Sequence, residues 1–196
     1  DILVGCSNEN YETEKNIFIS GEGGPTEYYS LAFYPMIIKA KIILAKESSC
    51  DNPITELHEI FHVFGFDHIN KSEFIMYPYI ECDQKINPEM ISELRRLYSI
   101  EPKAELYFTN ISAVKTGRYL NFSVQINNEG LLQANGVILE VYADNQKMDQ
   151  FDLNNINIGT GQRFYVTNIK LPSFDINKII LKIVYSGIEY KKDNNE

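Results

Sequence analysis

Five residues in one short stretch have the types and the spacing of a metal site. His58 and His62 lie four residues apart, so on a helix their imidazoles project from one face, about one turn apart. Glu59 flanks them, where a carboxylate can accept a proton from a metal-bound water. Gly65 can adopt the left-handed conformation that ends a helix, which lets His68 return as a third ligand. Three histidines and one water form the open tetrahedral site of a catalytic zinc ion.

The clustering of the histidines favours a site over the alternative of two unrelated surface histidines. All three histidines of the 196-residue chain fall between His58 and His68, and Gly65 stands at the required turn. A second signal follows at Ile75-Met76-Tyr77-Pro78. The H-E-x-x-H-x-x-G-x-x-H pattern with a downstream Met resembles the metzincin clan of zinc peptidases, and the Met-Tyr-Pro form is most similar to its matrixin branch.

The resemblance implies a role for each matched residue. His58, His62 and His68 would hold one catalytic Zn²⁺, and Glu59 would act as general base and then general acid. Met76 would form the Met-turn, a soft base beneath the imidazoles or simply a core methionine. The resemblance is strong over residues 58–79 and loose over the rest of residues 1–100.

The resemblance also implies substrate contacts. A Leu-Ala segment in matrixin-like sequences forms the edge strand above the cleft, so Leu31 and Ala32 are predicted to pair with an extended substrate; the alternative is an interior strand without that role. Pro78 and Tyr79 would line the pocket for the side chain after the scissile bond. Ile69 follows the third histidine where matrixins usually have Ser, and the short first domain carries no assigned calcium ligands, so calcium remains open.

Helical and strand patterns predict the elements that position this site. Asn52 and Pro53 are predicted to begin the metal-binding helix, with Ile54, Leu57, Phe61 and Phe64 packed in the core. Asn87 and Pro88 begin a second helix that runs to about Tyr98. Buried or half-buried strands are predicted at residues 1–6, 17–19, 28–34 and 36–46, and a loop at residues 21–25.

The pattern changes after Pro102. Apolar and polar residues alternate from Leu120 to Ile126 and in several later runs, and turn clusters separate the runs. The predicted fold class is an α+β metzincin-like catalytic domain over residues 1–102, followed by an all-β immunoglobulin-like sandwich over residues 103–190. Residues 191–196 are predicted to be a disordered tail. The sandwich has no assigned chemistry and could bind a surface or protein ligand.

Composition excludes some classes of partner. The formal net charge of −9 and the lack of a basic patch argue against nucleic acid and against an anionic membrane surface. No apolar run approaches the ~20 residues of a membrane span. The chain begins at Asp1 without a signal-like segment, which suggests a mature or trimmed form.

Three cysteines bear on the compartment. Cys50 and Cys82 flank the predicted site, and a bridge between them would imply an oxidising compartment; the alternative is three unrelated thiols. We therefore expect an extracellular or cell-surface zinc endopeptidase acting on a protein or peptide. Two alternatives stay open: a catalytically silent, zinc-stabilised surface binding or adhesion protein, and a zinc hydrolase with a non-peptide substrate.

Overall fold

The chain divides into two units. In its computed structural model the described residues are 1–7, 20–45 and 50–196, so the strand predicted at residues 17–19 lies outside them. The first unit contains Asp1–Tyr29 and Pro35–Ile100, and the second contains Ser30–Tyr34 and Glu101–Glu196.

A three-stranded sheet forms one layer of the first unit. Its strands are β1 (Ile2–Cys6), β2 (Gly21–Ser30) and β3 (Pro35–Leu44), in the order β1-β3-β2, and β1 runs parallel to β3. Ala40 and Ile42 are buried on one face of β3, whereas Lys39 and Lys41 on the other face pair with Glu27 and Glu22 of β2. This alternation follows from the period of two along a strand, as the sequence predicts.

Two helices complete the first unit. Helix α1 (Ile54–Val63) packs Ile60 and Val63 against β3, and helix α2 (Pro88–Tyr98) packs Met90 against a second apolar cluster. That second cluster also contains residues of α1 and of the segment that follows it: Ile54, Phe61, Ile75 and Met76. The two apolar clusters therefore hold α1 from two sides.

The helix starts differ from each other. The Asn87 side chain accepts a hydrogen bond from the Glu89 amide at 2.8 Å, with Pro88 in the first position, which confirms the predicted cap of α2. At α1 the predicted Asn52 cap is wrong, because Pro53 occupies the cap position and no side chain caps it. The prediction that Phe64 packs in the core is also wrong, since Phe64 follows the last helical residue and is 36% exposed.

Three strand predictions need correction. Residues 1–6 form a strand, but Ile2, Leu3 and Val4 are exposed instead of buried. Residues 21–25 begin β2 and are not a loop, because a strand tolerates glycine where another backbone approaches closely. Residues 31–34 form the connection between β2 and β3 and are not a strand.

The second unit consists of two three-stranded antiparallel sheets. One has the order β4-β5-β8 and the other β7-β6-β9. Their bounds are β4 (Leu106–Thr116), β5 (Tyr119–Asn128), β6 (Ala134–Ala143), β7 (Gln146–Ile156), β8 (Gly161–Lys170) and β9 (Ile179–Val184). Alternate residues of β5 and β6 point into one shared apolar core, for example Val124, Ile126, Val137 and Leu139.

The predicted fold class is wrong. The described residues contain nine strands in three small sheets and only two helices, so the chain is mostly β and does not contain the predicted α+β metzincin domain. The error has a physical cause, because helical spacing occurs only at 54–63 and 88–98 while most of the chain alternates with the period of a strand. None of the described helices is long and apolar enough to cross a membrane.

Residues 191–196, predicted to be disordered, contact the second unit. The Lys191 amide and the Asn194 side-chain amide each donate to a carboxylate oxygen of buried Glu105 at 2.8 Å. The Asn195 side-chain amide donates to Glu189, and the Asn195 backbone carbonyl accepts from the Ile183 amide.

The side chain of Asn128 hydrogen-bonds four backbone groups of the second unit. Its side chain is fully buried at the end of β5. The side-chain oxygen accepts from the amides of Glu105 and Gly130, and the side-chain nitrogen donates to the carbonyls of Leu132 and Ile156. All four bonds satisfy backbone groups, and a buried backbone group without a partner is costly.

We predict that Asn128→Ala lowers the free energy of unfolding of the second unit by about 3 kcal/mol, since four backbone groups lose a partner and three of these hydrogen bonds are buried. Hydrogen exchange of the β5 and β6 amides at increasing urea would measure this. The control is Gln133→Ala, which removes one exposed side-chain hydrogen bond to Asn135. Equal exchange in the two variants would contradict the prediction.

Candidate metal centre

Helix α1 and the turn after it bring the three histidines together. His58 and His62 are one turn apart on α1, which ends at Val63. Gly65 has a positive φ of 87°, and the amides of Gly65 and Phe66 donate to the carbonyls of His62 and Phe61. This αL reversal is a common way to end a helix, and it sends the chain back so that His68 joins the other two.

The three imidazoles converge on one point. Their Nε2 atoms lie 3.1 Å apart in each of the three pairs. Because atoms 3.1 Å apart in a triangle lie about 1.8 Å from its centre (3.1 Å divided by √3), one ion can contact all three at the 2.0–2.1 Å found for zinc–imidazole bonds. His58, His62 and His68 therefore form a group that could hold a metal ion.

The hydrogen bonds of the Nδ1 atoms indicate which ring nitrogens can bind a metal ion. Nδ1 of His58 donates to the Ile75 carbonyl at 2.5 Å, and Nδ1 of His62 donates to the Phe66 carbonyl at 2.7 Å. Since a carbonyl can only accept, we infer that both Nδ1 atoms carry a proton, so that the neutral form of either ring has its lone pair at Nε2. Two lone pairs 3.1 Å apart repel each other, and a shared cation removes that repulsion.

Burial keeps two of the imidazoles in the form that binds metal. Desolvation lowers the pKa of His58, and the neighbouring His62 and His68 lower it further against the raising effect of the Ile75 hydrogen bond. Desolvation also lowers the pKa of His68. A lowered pKa means that the neutral ring persists to more acid pH, and only neutral imidazole is a metal ligand.

Glu59 follows His58 on α1 and lies against the glycines at the start of β2. The residue is 4% exposed, and the Gly23 amide donates to its carboxylate. Burial raises the pKa of Glu59 to about 7, with Gly23 opposing the shift and Glu22 adding to it. A carboxyl group with a pKa near neutrality can both accept and release a proton at neutral pH.

Two glycines of β2 make room for Glu59, and the sequence analysis did not identify them. A Cβ on Gly21 would lie 2.9 Å from Glu59 Cγ, and a Cβ on Gly23 would collide with the Glu59 carbonyl oxygen. The same test on Gly24 meets nothing within 4 Å. The signal in the sequence is the pair of glycines at alternate positions of Gly21-Glu22-Gly23. Alternate residues of a strand face the same side, so both glycines face α1 and Glu22 does not.

The segment after the histidines supports the triangle. Met76 is fully buried in the same apolar cluster as Phe61 and Ile75, and its carbonyl accepts from the Ile69 amide. The Tyr77 amide donates to the Phe74 carbonyl, so the chain turns tightly at Met76. Pro78 is exposed and Tyr79 is 53% exposed, with its ring 5.6 Å from that of Tyr77.

The remaining predicted substrate residues, Leu31 and Ala32, lie outside this group. They belong to the second unit, where the Ala32 amide donates to the Glu129 carbonyl at 3.3 Å. That amide therefore already has a partner within the chain. Their substrate role stays a prediction.

A disulfide and a buried glutamine hold the segment from residue 72 to residue 85, and the sequence predicted only the disulfide, as one of two possibilities. Cys50 and Cys82 form a disulfide, one of the two possibilities that the sequence left open, and the remaining cysteine, Cys6, is free and exposed. Gln84 is 6% exposed and hydrogen-bonds three backbone groups of the segment. A single glutamine in a polar loop gives no periodic signal, so sequence reasoning had no means to find it.

Comparison of the chain with protein-family models, with curated proteins and with solved structures gives no match. The argument for function therefore stands on the geometry of the histidines and Glu59.

We predict that Gly23→Ala moves β2 away from α1 and destabilises the first unit by about 1–3 kcal/mol, because the new methyl group collides with backbone. Thermal unfolding, together with hydrogen exchange at the residue 23 amide, would measure the effect. The matched control is Gly24→Ala, whose methyl group enters open space. The same melting temperature and exchange rate in both variants would contradict this account of β2.

Proposed function

We propose that the chain is a zinc-dependent endopeptidase whose metal site is of the metzincin kind. The observation that carries the proposal is the triangle of three Nε2 atoms at 3.1 Å, together with a buried carboxyl at Glu59, the residue that follows His58 on the same helix. The sequence pattern from His58 to His68 and the turn at Met76 support the same conclusion. The proposal concerns the site and not the fold.

The donor set favours zinc or another transition metal over calcium and magnesium. Imidazole suits zinc, copper, nickel and iron, whereas calcium and magnesium prefer oxygen ligands. Three neutral nitrogens leave a fourth tetrahedral position open, which is the arrangement of a catalytic zinc site. The Nδ1 hydrogen bonds of His58 and His62 to backbone carbonyls are the outer contacts that such ligands usually have.

Glu59 carries the proton in the proposed reaction. Bound zinc would acidify water and polarise a peptide carbonyl. The Glu59 carboxylate takes a proton from the attacking water and then passes it to the nitrogen of the departing amine. The Gly23 amide holds the carboxylate in place, and burial excludes bulk water from it. A nearby cation favours the charged carboxylate. Binding of zinc would therefore lower the pKa of Glu59 below its value in the metal-free protein.

The position of β2 supports a peptide as substrate. Among the described strands, β2 pairs with β3 on one side only, so its other edge is unpaired, and it passes over Glu59. An unpaired strand edge binds an extended peptide through backbone hydrogen bonds. We propose β2 as the pairing strand, in place of the segment around Leu31 and Ala32. Pro78 and Tyr79 keep their proposed role as a wall of the substrate pocket.

The disulfide bears on where the protein acts. Cys50, which lies just before α1, forms a disulfide with Cys82. Structural disulfides persist in oxidising compartments. We therefore propose an extracellular or cell-surface location and a protein or peptide substrate. The second unit has no assigned partner.

The test is Glu59→Gln, which keeps the shape of the side chain and removes the base. We predict that the variant binds one zinc ion per chain, as the wild type does, and cleaves casein at least about 10³-fold more slowly, within the range that a general base contributes. Metal content by mass spectrometry and casein cleavage would be measured on the same samples.

The control is Glu93→Gln, the same change at an exposed carboxylate on α2 that pairs with Arg96. Its activity should equal that of the wild type. If the wild type and Glu59→Gln both bind zinc and neither cleaves casein, the result would favour a silent zinc-stabilised binding protein or a hydrolase with a non-peptide substrate. Equal cleavage by wild type and Glu59→Gln would refute the role of Glu59.

A further inference from the structure

We propose that Gln84 is a positioning residue of the metal centre, which acts on His58 through the carbonyl of Ile75. This inference rests on metal binding by the three histidines and does not depend on peptide hydrolysis. Gln84 contacts neither a histidine nor Glu59 in any hydrogen bond described for the site. It acts by holding the segment from Ser72 to Lys85 in one shape.

The Gln84 amide joins both arms of this segment. Its nitrogen donates to the Ser72 carbonyl at 3.1 Å and to the Tyr79 carbonyl at 2.9 Å. Its oxygen accepts from the Glu81 amide at 3.2 Å. The side chain therefore uses both donors and the acceptor, and Ser72 and Tyr79 bracket the turn that contains Ile75 and Met76.

The backbone beside Gln84 reaches Ile75 directly. The carbonyl of Lys85 accepts from the Ile75 amide at 2.9 Å, and the Lys85 amide donates to the Glu73 carbonyl at 3.0 Å. The Ile75 carbonyl in turn accepts from Nδ1 of His58 at 2.5 Å. The peptide groups on both sides of Ile75 are thus held, one by Lys85 and the other by the ligand itself.

His58 depends on this contact because it is the most buried of the three ligands, at 4% exposure. Its Nδ1 partner lies 17 residues away along the chain, so the orientation of the ring depends on where the segment places Ile75. The Nδ1 partner of His62 is only four residues away, at Phe66. Loss of an outer hydrogen-bond partner typically weakens metal binding 10–100-fold.

The disulfide separates a positioning role from a role in folding. Cys82 remains bonded to Cys50 when Gln84 is changed, so the segment stays attached to the unit. Ile75 and Met76 also stay within the apolar cluster that α1 and α2 share. We therefore expect Gln84 variants to fold and to differ from the wild type in ligand geometry.

The test compares Gln84→Met, which keeps the approximate volume without hydrogen bonds, and Gln84→Glu, which keeps the acceptor and loses both donors. We predict that each weakens zinc binding roughly 10-fold or more, measured by competition with a chelator. The visible absorption spectrum of the cobalt-loaded protein should change as well, because it reports ligand geometry. The matched control is Ser72→Ala, which keeps the carbonyl that Gln84 uses and should change neither measurement.

A double-mutant cycle with His58→Ala distinguishes action through His58 from general loosening. If Gln84 acts through His58, Gln84→Met should cause little further loss of zinc affinity once His58 is absent. The same fold-loss in both backgrounds would overturn the proposal, as would full affinity in both Gln84 variants. A wild type that binds zinc without cleaving casein would contradict the proposed peptidase and leave this test valid; a wild type that binds no zinc would overturn both.

Discussion

The convergence of three imidazole nitrogens is the constraint on which the rest of the first unit depends. The Nδ1 atoms of His58 and His62 are bonded to carbonyls, so their Nε2 atoms are left to face each other and that of His68 at 3.1 Å. One metal ion can contact all three. Each supporting element keeps this arrangement in place: α1 sets the spacing of two ligands, Gly65 reverses the chain toward the third, and Ile75 orients the most buried ring.

Glu59 links the metal centre to the sheet. It follows His58 on the same helix, and its side chain lies against the glycines at the start of β2. The carboxyl is buried where β2 approaches, and burial raises its pKa to about 7, as the proposed proton transfer requires. The same strand offers an unpaired edge among the described strands, so the proposed base and the proposed substrate-binding strand depend on one packing contact.

The sequence predicted the parts of this account that have local rules. Helical spacing predicts α1 and α2, alternation predicts β3, β5, β6, β8 and β9 but not β4 or β7, and the positions of His58, His62, Gly65 and His68 predict the group that could hold a metal ion. It failed where distant contacts override local propensity. Gly21 and Gly23 have the composition of a loop and lie in a strand because α1 packs against them. Gln84 and Asn128 are ordinary polar residues until folding surrounds them with backbone groups. The predicted fold class is wrong because helical spacing is confined to α1 and α2, whereas most of the chain alternates with the period of a strand.

X-ray absorption at the zinc edge of the zinc-loaded chain tests the central claim most directly, because it counts the ligands of the ion and identifies their atoms. The account predicts one zinc per chain with three imidazole nitrogens and one oxygen at about 2.0–2.1 Å. Fewer than three imidazoles, or a sulfur ligand at about 2.3 Å, would contradict it.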